Sequence, residues 1–320
     1  MSLLFSQLLG WASCVITLFI WGVTFASTRV LLFDFSSLEI QIIRFGIAFC
    51  VLYGVELIVQ RQRRYKFHWR DELLCMGMGI TGVAIYQFLE NCAIYYTNAS
   101  NVAILVSFGP IITAIFAQVF TNEKKLSLSL MIGSLISILG VALVSLNGII
   151  VFKIRPLGDL MALLAMTSWG VYSVLISKMN ERGFPQIVVV RKSFFWALIT
   201  MLPLALWGMT ENGYYALDGS FSITLDFMIN SERFSSLLNW MNIIFLSLFA
   251  SAVCFVLWSS ASKLLGVVRT TVSLYLTPVI GVLFATCCLD EPITVMSILG
   301  GCIIILGVVF SNCKLRKRYE

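Results

Sequence analysis

Leu89-Glu90-Asn91-Cys92-Ala93 is followed by Pro110 and Glu123, and 168 residues later Leu257-Trp258-Ser259-Ser260-Ala261 is followed by Pro278 and Glu291. The leucine, alanine, proline and glutamate return in register, and Phe116-Ala117 returns with them as Phe284-Ala285. Upstream, Trp21-Gly22-Val23 returns as Trp169-Gly170-Val171 after 148 residues, while Ile40 and Arg44 return as Ile187 and Arg191 after 147. The chain reads as two copies of one unit.

Composition says where both copies reside. Hydrophobic residues make up 59% of the chain and charged residues 12%, against about 25% charged in an ordinary soluble domain. Water cannot cover such a surface, so the lipid bilayer is the expected surrounding. The net charge of +6 does not point to nucleic acid, because the basic residues sit in short connections between apolar segments. Eight of the nine cysteines fall inside apolar segments, with no Cys-x-x-Cys pair and no histidine nearby. They read as small buried thiols, with no disulfide framework and no metal site. No basic residue precedes Trp11, so the first segment lacks the n-region of a cleaved signal peptide and reads as a retained span.

A spanning helix needs about 20 mostly apolar residues. That ruler gives segments near 8–32, 38–59, 72–94, 98–120, 128–147, 157–179, 186–209, 239–262, 266–288 and 293–312. Apolar side chains lie all round each segment, which excludes the alternating strands of a β-barrel. Lysine and arginine set the orientation. The even-numbered connections and the C-terminal tail hold 15 of them (Arg61, Arg63, Arg64, Lys66, Arg70, Lys124, Lys125, Lys178, Arg182, Lys263, Arg269, Lys314, Arg316, Lys317 and Arg318); the odd-numbered connections hold Arg29, Lys153, Arg155 and Arg233. The excess puts both termini in the cytoplasm.

The expected fold is therefore an all-α integral membrane protein of ten transmembrane helices. Five spans per copy is an odd number, so the copies at 8–147 and 157–312 enter the membrane from opposite sides as inverted repeats. An acidic external insertion near 210–238 explains the growing offset, and residues 313–320 form a basic cytoplasmic tail. Inverted repeats typically hold a substrate site between the halves.

Trp-Gly in the first helix of each half, Arg in the second, and Pro in the fourth followed by Glu at its end resemble the EamA type of the drug/metabolite transporter superfamily. Here these are Trp21-Gly22 and Trp169-Gly170, Arg44 and Arg191, Pro110 and Pro278, and Glu123 and Glu291, with Gly133 and Gly140 matched by Gly300 and Gly307 in the fifth helices. The resemblance implies an exporter of small metabolites in the cell (inner) membrane. Its central cavity would be lined mainly by helices 1, 3, 4, 6, 8 and 9, with helices 5 and 10 packed peripherally. Characterised relatives include exporters of amino acids and related compounds.

Ionisable groups inside spans cost about 2.5–3.5 kcal/mol each at the helix centre, so each needs a reason. Glu90 shares a helical face with Tyr86, Gln87 and Asn91. Such a stripe suits a substrate ammonium or a coupling proton; the alternative is a glutamate reaching headgroups. The counterpart of Glu90 is Trp258, so the copies diverge where a binding site should be asymmetric. Trp258 either stacks on a planar substrate or fills space between helices. Asn101, Ser107, Ser262 and Tyr275 complete the polar set, and Trp21, Trp169 and Tyr172 supply an aromatic wall. Serine in a span more often bonds its own backbone. Pro110 and Pro278 are expected to kink their helices, as gating points or as static packing devices. Arg44, Arg191, Lys192 and Glu56 read as snorkelling or as bonding a neighbouring helix end.

Secondary transport of a small-molecule solute by alternating access, driven by the substrate gradient or by proton exchange, fits these features. No Gly-x-x-x-x-Gly-Lys-Ser/Thr loop provides for ATP, and no cofactor is implied. The alternatives are a channel, a lipid flippase or a membrane-embedded enzyme. The last finds little support, because the sole histidine, His68, lies in a basic loop and no acid–base cluster accompanies it. The oligomeric state leaves no sequence signal.

Overall fold

A backbone placed in hydrocarbon must satisfy its own hydrogen bonds, and an isolated segment can do so only as a helix. The computed structural model describes residues 3–59, 65–97, 99–121, 127–146, 155–210, 231–289 and 293–312, and those residues contain helices and no strand. Among the described residues, ten helices are long and apolar enough to cross a membrane. They are α1 (Leu3–Leu31), α2 (Ser37–Val59), α3 (69–96), α4 (99–120), α5 (Leu128–Leu146), α6 (Pro156–Glu181), α7 (Gln186–Thr210), α8 (237–265), α9 (267–289) and α10 (Val295–Asn312). Asn98, Glu123, Glu291, the basic residues 61–64, 124–125 and 314–318, Lys153 and most of the acidic connection 210–238 lie outside the described residues.

Four of these helices are interrupted. α3 contains a π-helical stretch at Ile80–Ile85 and α8 contains one at Phe245–Val253. They end 168 residues apart, at the spacing of the sequence match. π-turns carry one residue too many per turn and free a carbonyl from the helical ladder. In α8 the Cys254 N–H passes over Ala250 O for Phe249 O and Ser251 O, and Ala250 O accepts Trp21 Nε1 of α1 at 3.0 Å; in α3 Thr81 O keeps its bond from the Tyr86 N–H and also accepts Ser168 Oγ of α6 at 2.7 Å. α4 breaks at Ser107 and Phe108 and restarts at Gly109, while α9 passes through a 3-10 turn at Ser273–Leu276 and restarts at Thr277. Pro110 and Pro278 each stand second in the restarted helix, where the missing N–H has no helical acceptor to lose. The expected kinks are thus helix breaks.

Packing pairs α1 with α8, α3 with α6, α2 with α7 and α5 with α10. α3, α6, α7 and α8 meet in the largest core cluster, which includes Met78, Trp169, Tyr172, Phe194, Phe255 and Trp258. Outward faces carry exposed apolar side chains such as Phe19, Phe33, Ile58, Leu139 and Leu306. Without headgroups and acyl chains around them, so much exposed apolar surface would aggregate.

α5 and α10 run antiparallel at backbone contact. A Cβ added at Gly140 would come within 2.7 Å of Gly300 O and Ile304 N. Small residues let such backbones approach where lipid provides no hydrophobic drive. Gly140→Ala is expected to cost about 1–3 kcal/mol by overpacking, read as a lowered unfolding temperature of the purified protein in detergent. An unchanged temperature would mean that the two helices are not held at that distance.

Candidate functional site

Three tryptophans from three helices meet at the centre. Trp21 (α1), Trp169 (α6) and Trp258 (α8) have ring centroids 6.0, 5.2 and 5.9 Å apart, pair by pair (21–169, 21–258 and 169–258). Tyr86 and Tyr172 each stand 5.0 Å from Trp169, and Phe255 stands 5.8 Å from Trp21. The rings are tilted or edge-on throughout, the arrangement their quadrupoles prefer. Trp21 is fixed by its bond to the carbonyl freed in α8, and the Tyr172 ring fits because residue 82 is a glycine.

The polar stripe of α3 borders these rings. Tyr86 Oη donates to Glu90 Oε1 at 2.8 Å, joining the acid to the aromatic cluster through one side chain. Trp21, Tyr86, Gln87, Glu90 and Asn91 are half-buried, whereas Trp169, Tyr172 and Trp258 are buried. Trp169 is 3% exposed, and its indole N–H has no hydrogen-bond partner among the described residues.

Three of the expected residues fall elsewhere or turn away. Asn101 is buried in a polar knot, donating to Thr97 Oγ1 at 3.2 Å and to Asp159 Oδ1 at 3.4 Å, so it ties α4 to the start of α6. Ser107 Oγ bonds Ile104 O of its own helix at 2.5 Å. Tyr275 is buried against α5 and α10, among Leu130, Ile138 and Ile304, and not against the tryptophans. Ser262 is buried one turn beyond Trp258.

Of the basic residues of α2 and α7, Arg44 departs from expectation, while Arg191 and Lys192 follow the helix-bonding alternative. Arg44 does not snorkel. It is 7% exposed, its Nε donates to Ser251 Oγ of α8 at 2.9 Å, and its guanidinium carbon lies 4.8 Å from the Phe45 ring centroid. Glu90 lies within reach of its charge. Arg191 pairs with Glu56 of α2, and Lys192 with Glu72 of α3, so both bond neighbouring helices. Sequence reading gave the depth of Arg44 but not its direction. It also passed over Phe255 and both π-turns, whose partners come from distant parts of the chain.

Ten spans thus enclose an acid, a buried cation and an aromatic cluster. The EamA-like transporter family model matches residues 8–146 and again residues 156–313. The chain belongs to that family. It is 25% identical over 304 residues to a probable terminal-alkyne amino-acid exporter of Streptantibioticus cattleyicolor, spanning 94% of this chain and 92% of that one. It is 26% identical over 240 residues to the uncharacterised transporter YdfC of Bacillus subtilis, spanning 75% and 71% of the two chains. A solved crystal structure superposes with a TM-score of 0.73 over 97% of this chain and 98% of its own, at 16% identity, which shows the shared fold.

Proposed function

We propose that this transporter exports small organic metabolites, amino acids among them, across the cell (inner) membrane by alternating access. The observation that carries the reading is the convergence of Trp21, Trp169 and Trp258 with the Tyr86–Glu90 pair, from helices contributed by both family-matched segments. Such a centre suits a small amphiphilic solute: rings take the apolar part and the carboxylate takes an ammonium or a proton. The exporter relative supports the amino-acid class.

A cytoplasmic position of both termini is supported by the lysine and arginine excess in the even-numbered connections. Five spans per segment then make the segments inverted repeats that rock against each other around the centre. The breaks ahead of Pro110 and Pro278 give each segment a bending point. Glu90 carries the coupling, because a carboxylate that binds a substrate ammonium on one stroke can return with a proton on the other.

Efflux from proteoliposomes loaded with a labelled amino-acid and metabolite panel, with and without a pH gradient, tests this. Saturable efflux of at least one panel amino acid, quickened by the gradient, is expected. Efflux that never saturates would make the protein a channel, and absence of amino-acid efflux would remove the amino-acid class.

A further inference from the structure

Arg44 is a buried cation with no anion in contact among the described residues. The ion pairs among the described residues are Arg182–Asp71, Arg191–Glu56, Lys192–Glu72 and Arg233–Glu39. Arg44 makes one hydrogen bond among those residues, from Nε to the neutral Ser251 hydroxyl, and its terminal nitrogens make none. Its sequence counterpart shows what is missing. Arg191 meets Glu56, and the 147-residue offset that relates Arg44 to Arg191 places Pro203 at the counterpart of Glu56. The carboxylate that satisfies one arginine has no equivalent for the other.

A buried guanidinium lacking its anion is costly, so the place is held for something. Glu90 reaches Arg44 through its field without closing an ion pair, and it is already engaged by Tyr86. Between them the centre offers donors from Arg44, an acceptor from Glu90, a second unpartnered donor in the Trp169 indole, and ring faces on Trp21, Trp258 and Phe255. Both charges of opposite sign sit beside one aromatic cluster. Planar guanidinium donors match a carboxylate in pairs, which an ammonium or hydroxyl cannot use.

Building on the proposed export of amino acids, we propose that Arg44 receives the substrate carboxylate while Glu90 receives its ammonium, so that the site selects free α-amino acids over the corresponding amines and acids. The zwitterion lies between the two charges and its side chain lies on the tryptophans. Arg44 is then a specificity-determining residue. If it were only a counter-charge to Glu90, its loss would weaken every ammonium-bearing substrate alike.

The test uses the full chain in proteoliposomes, with counterflow of labelled L-phenylalanine against unlabelled competitors. L-Phenylalaninamide and phenethylamine keep the ring and the ammonium but lack the carboxylate. In the wild-type protein both should compete about tenfold or more weakly than L-phenylalanine, as loss of a charge-assisted bond implies. Arg44→Gln should weaken L-phenylalanine by a similar factor and leave phenethylamine unchanged, and Arg44→Lys should recover part of the loss. Equal competition by the amide and the amino acid in the wild-type protein overturns the proposal, as does an equal fall for both solutes in Arg44→Gln. The wild-type competition needs no variant, so a poorly folding Arg44→Gln does not shelter the proposal. If no panel amino acid shows saturable counterflow, the amino-acid export reading fails and takes this inference with it. Equal competition removes the inference alone.

Discussion

Glu90→Gln is expected to leave a folded protein whose efflux no longer responds to a pH gradient. Glutamine keeps the length of the side chain and an oxygen that accepts from Tyr86 Oη, so the α3 stripe retains its geometry. What disappears is the group that takes a proton. The charged and titratable neighbours that reach Glu90 are Arg44 from α2 and Tyr86 on its own helix. The Arg44 guanidinium and the Tyr86 phenol keep their protons at neutral pH, so neither replaces the lost site. Efflux of ammonium-bearing solutes should also fall about tenfold to a hundredfold, because a charge-assisted bond is lost. The ratio of efflux with and without a gradient is the readout. A ratio unchanged from wild type would return Glu90 to a packing role.

Glu39→Ala is expected to give the largest loss of stability. Ser36 and Glu39 form a capping box at the start of α2: Ser36 N donates to Glu39 Oε2 at 2.7 Å, and Glu39 N donates to Ser36 Oγ at 3.3 Å. The same carboxylate receives Arg233 Nη2 at 2.9 Å, with Glu39 1% and Arg233 9% exposed. Arg233 also donates to Asp34 O and lies between Phe35 and Phe234, so it fastens the α1–α2 connection to the entrance of α8. Removing one partner of a buried pair strands the other charge, at about 3–5 kcal/mol. A marked drop in unfolding temperature should result, and Glu39→Gln should lose less because its amide still accepts at the cap. Equal unfolding temperatures for Glu39→Ala and wild type would show that the pair is solvent-screened.

The helices were legible because hydropathy is a local property. Segments read at 38–59, 128–147 and 186–209 appear as Ser37–Val59, Leu128–Leu146 and Gln186–Thr210. The breaks in α4 and α9 and the π-turns in α3 and α8 were not legible as such. A π-turn persists where another helix uses the freed carbonyl, as Trp21 uses Ala250, and that donor lies 229 residues away. The capping box at Ser36–Glu39 was present in the spacing, but its arginine came from the far end of a long connection.

The centre was partly legible for the same reason. Matching the two copies singled out Trp21, Trp169 and Trp258, and the stripe of α3 gave Tyr86 and Glu90; their rings and polar groups do meet. Ser107 and Tyr275 were drawn from the same match, yet one bonds its own helix and the other packs against α5 and α10. Sequence spacing fixes which residues share a helix face, and only the packing of neighbouring helices decides what that face meets. Arg44 illustrates the limit: near a span end, an arginine can reach outward to headgroups or inward to a partner, and its neighbours in sequence do not choose between them.

Counterflow in proteoliposomes tests the central claim most directly, that the tryptophan–glutamate centre is a saturable carrier site. Labelled amino acid outside should accumulate transiently in vesicles preloaded with the same unlabelled solute, and this accumulation should be lost when Trp21 or Trp169 is replaced by Ala in folded protein. Counterflow that persists unchanged in both folded variants would place the transport site elsewhere in the molecule.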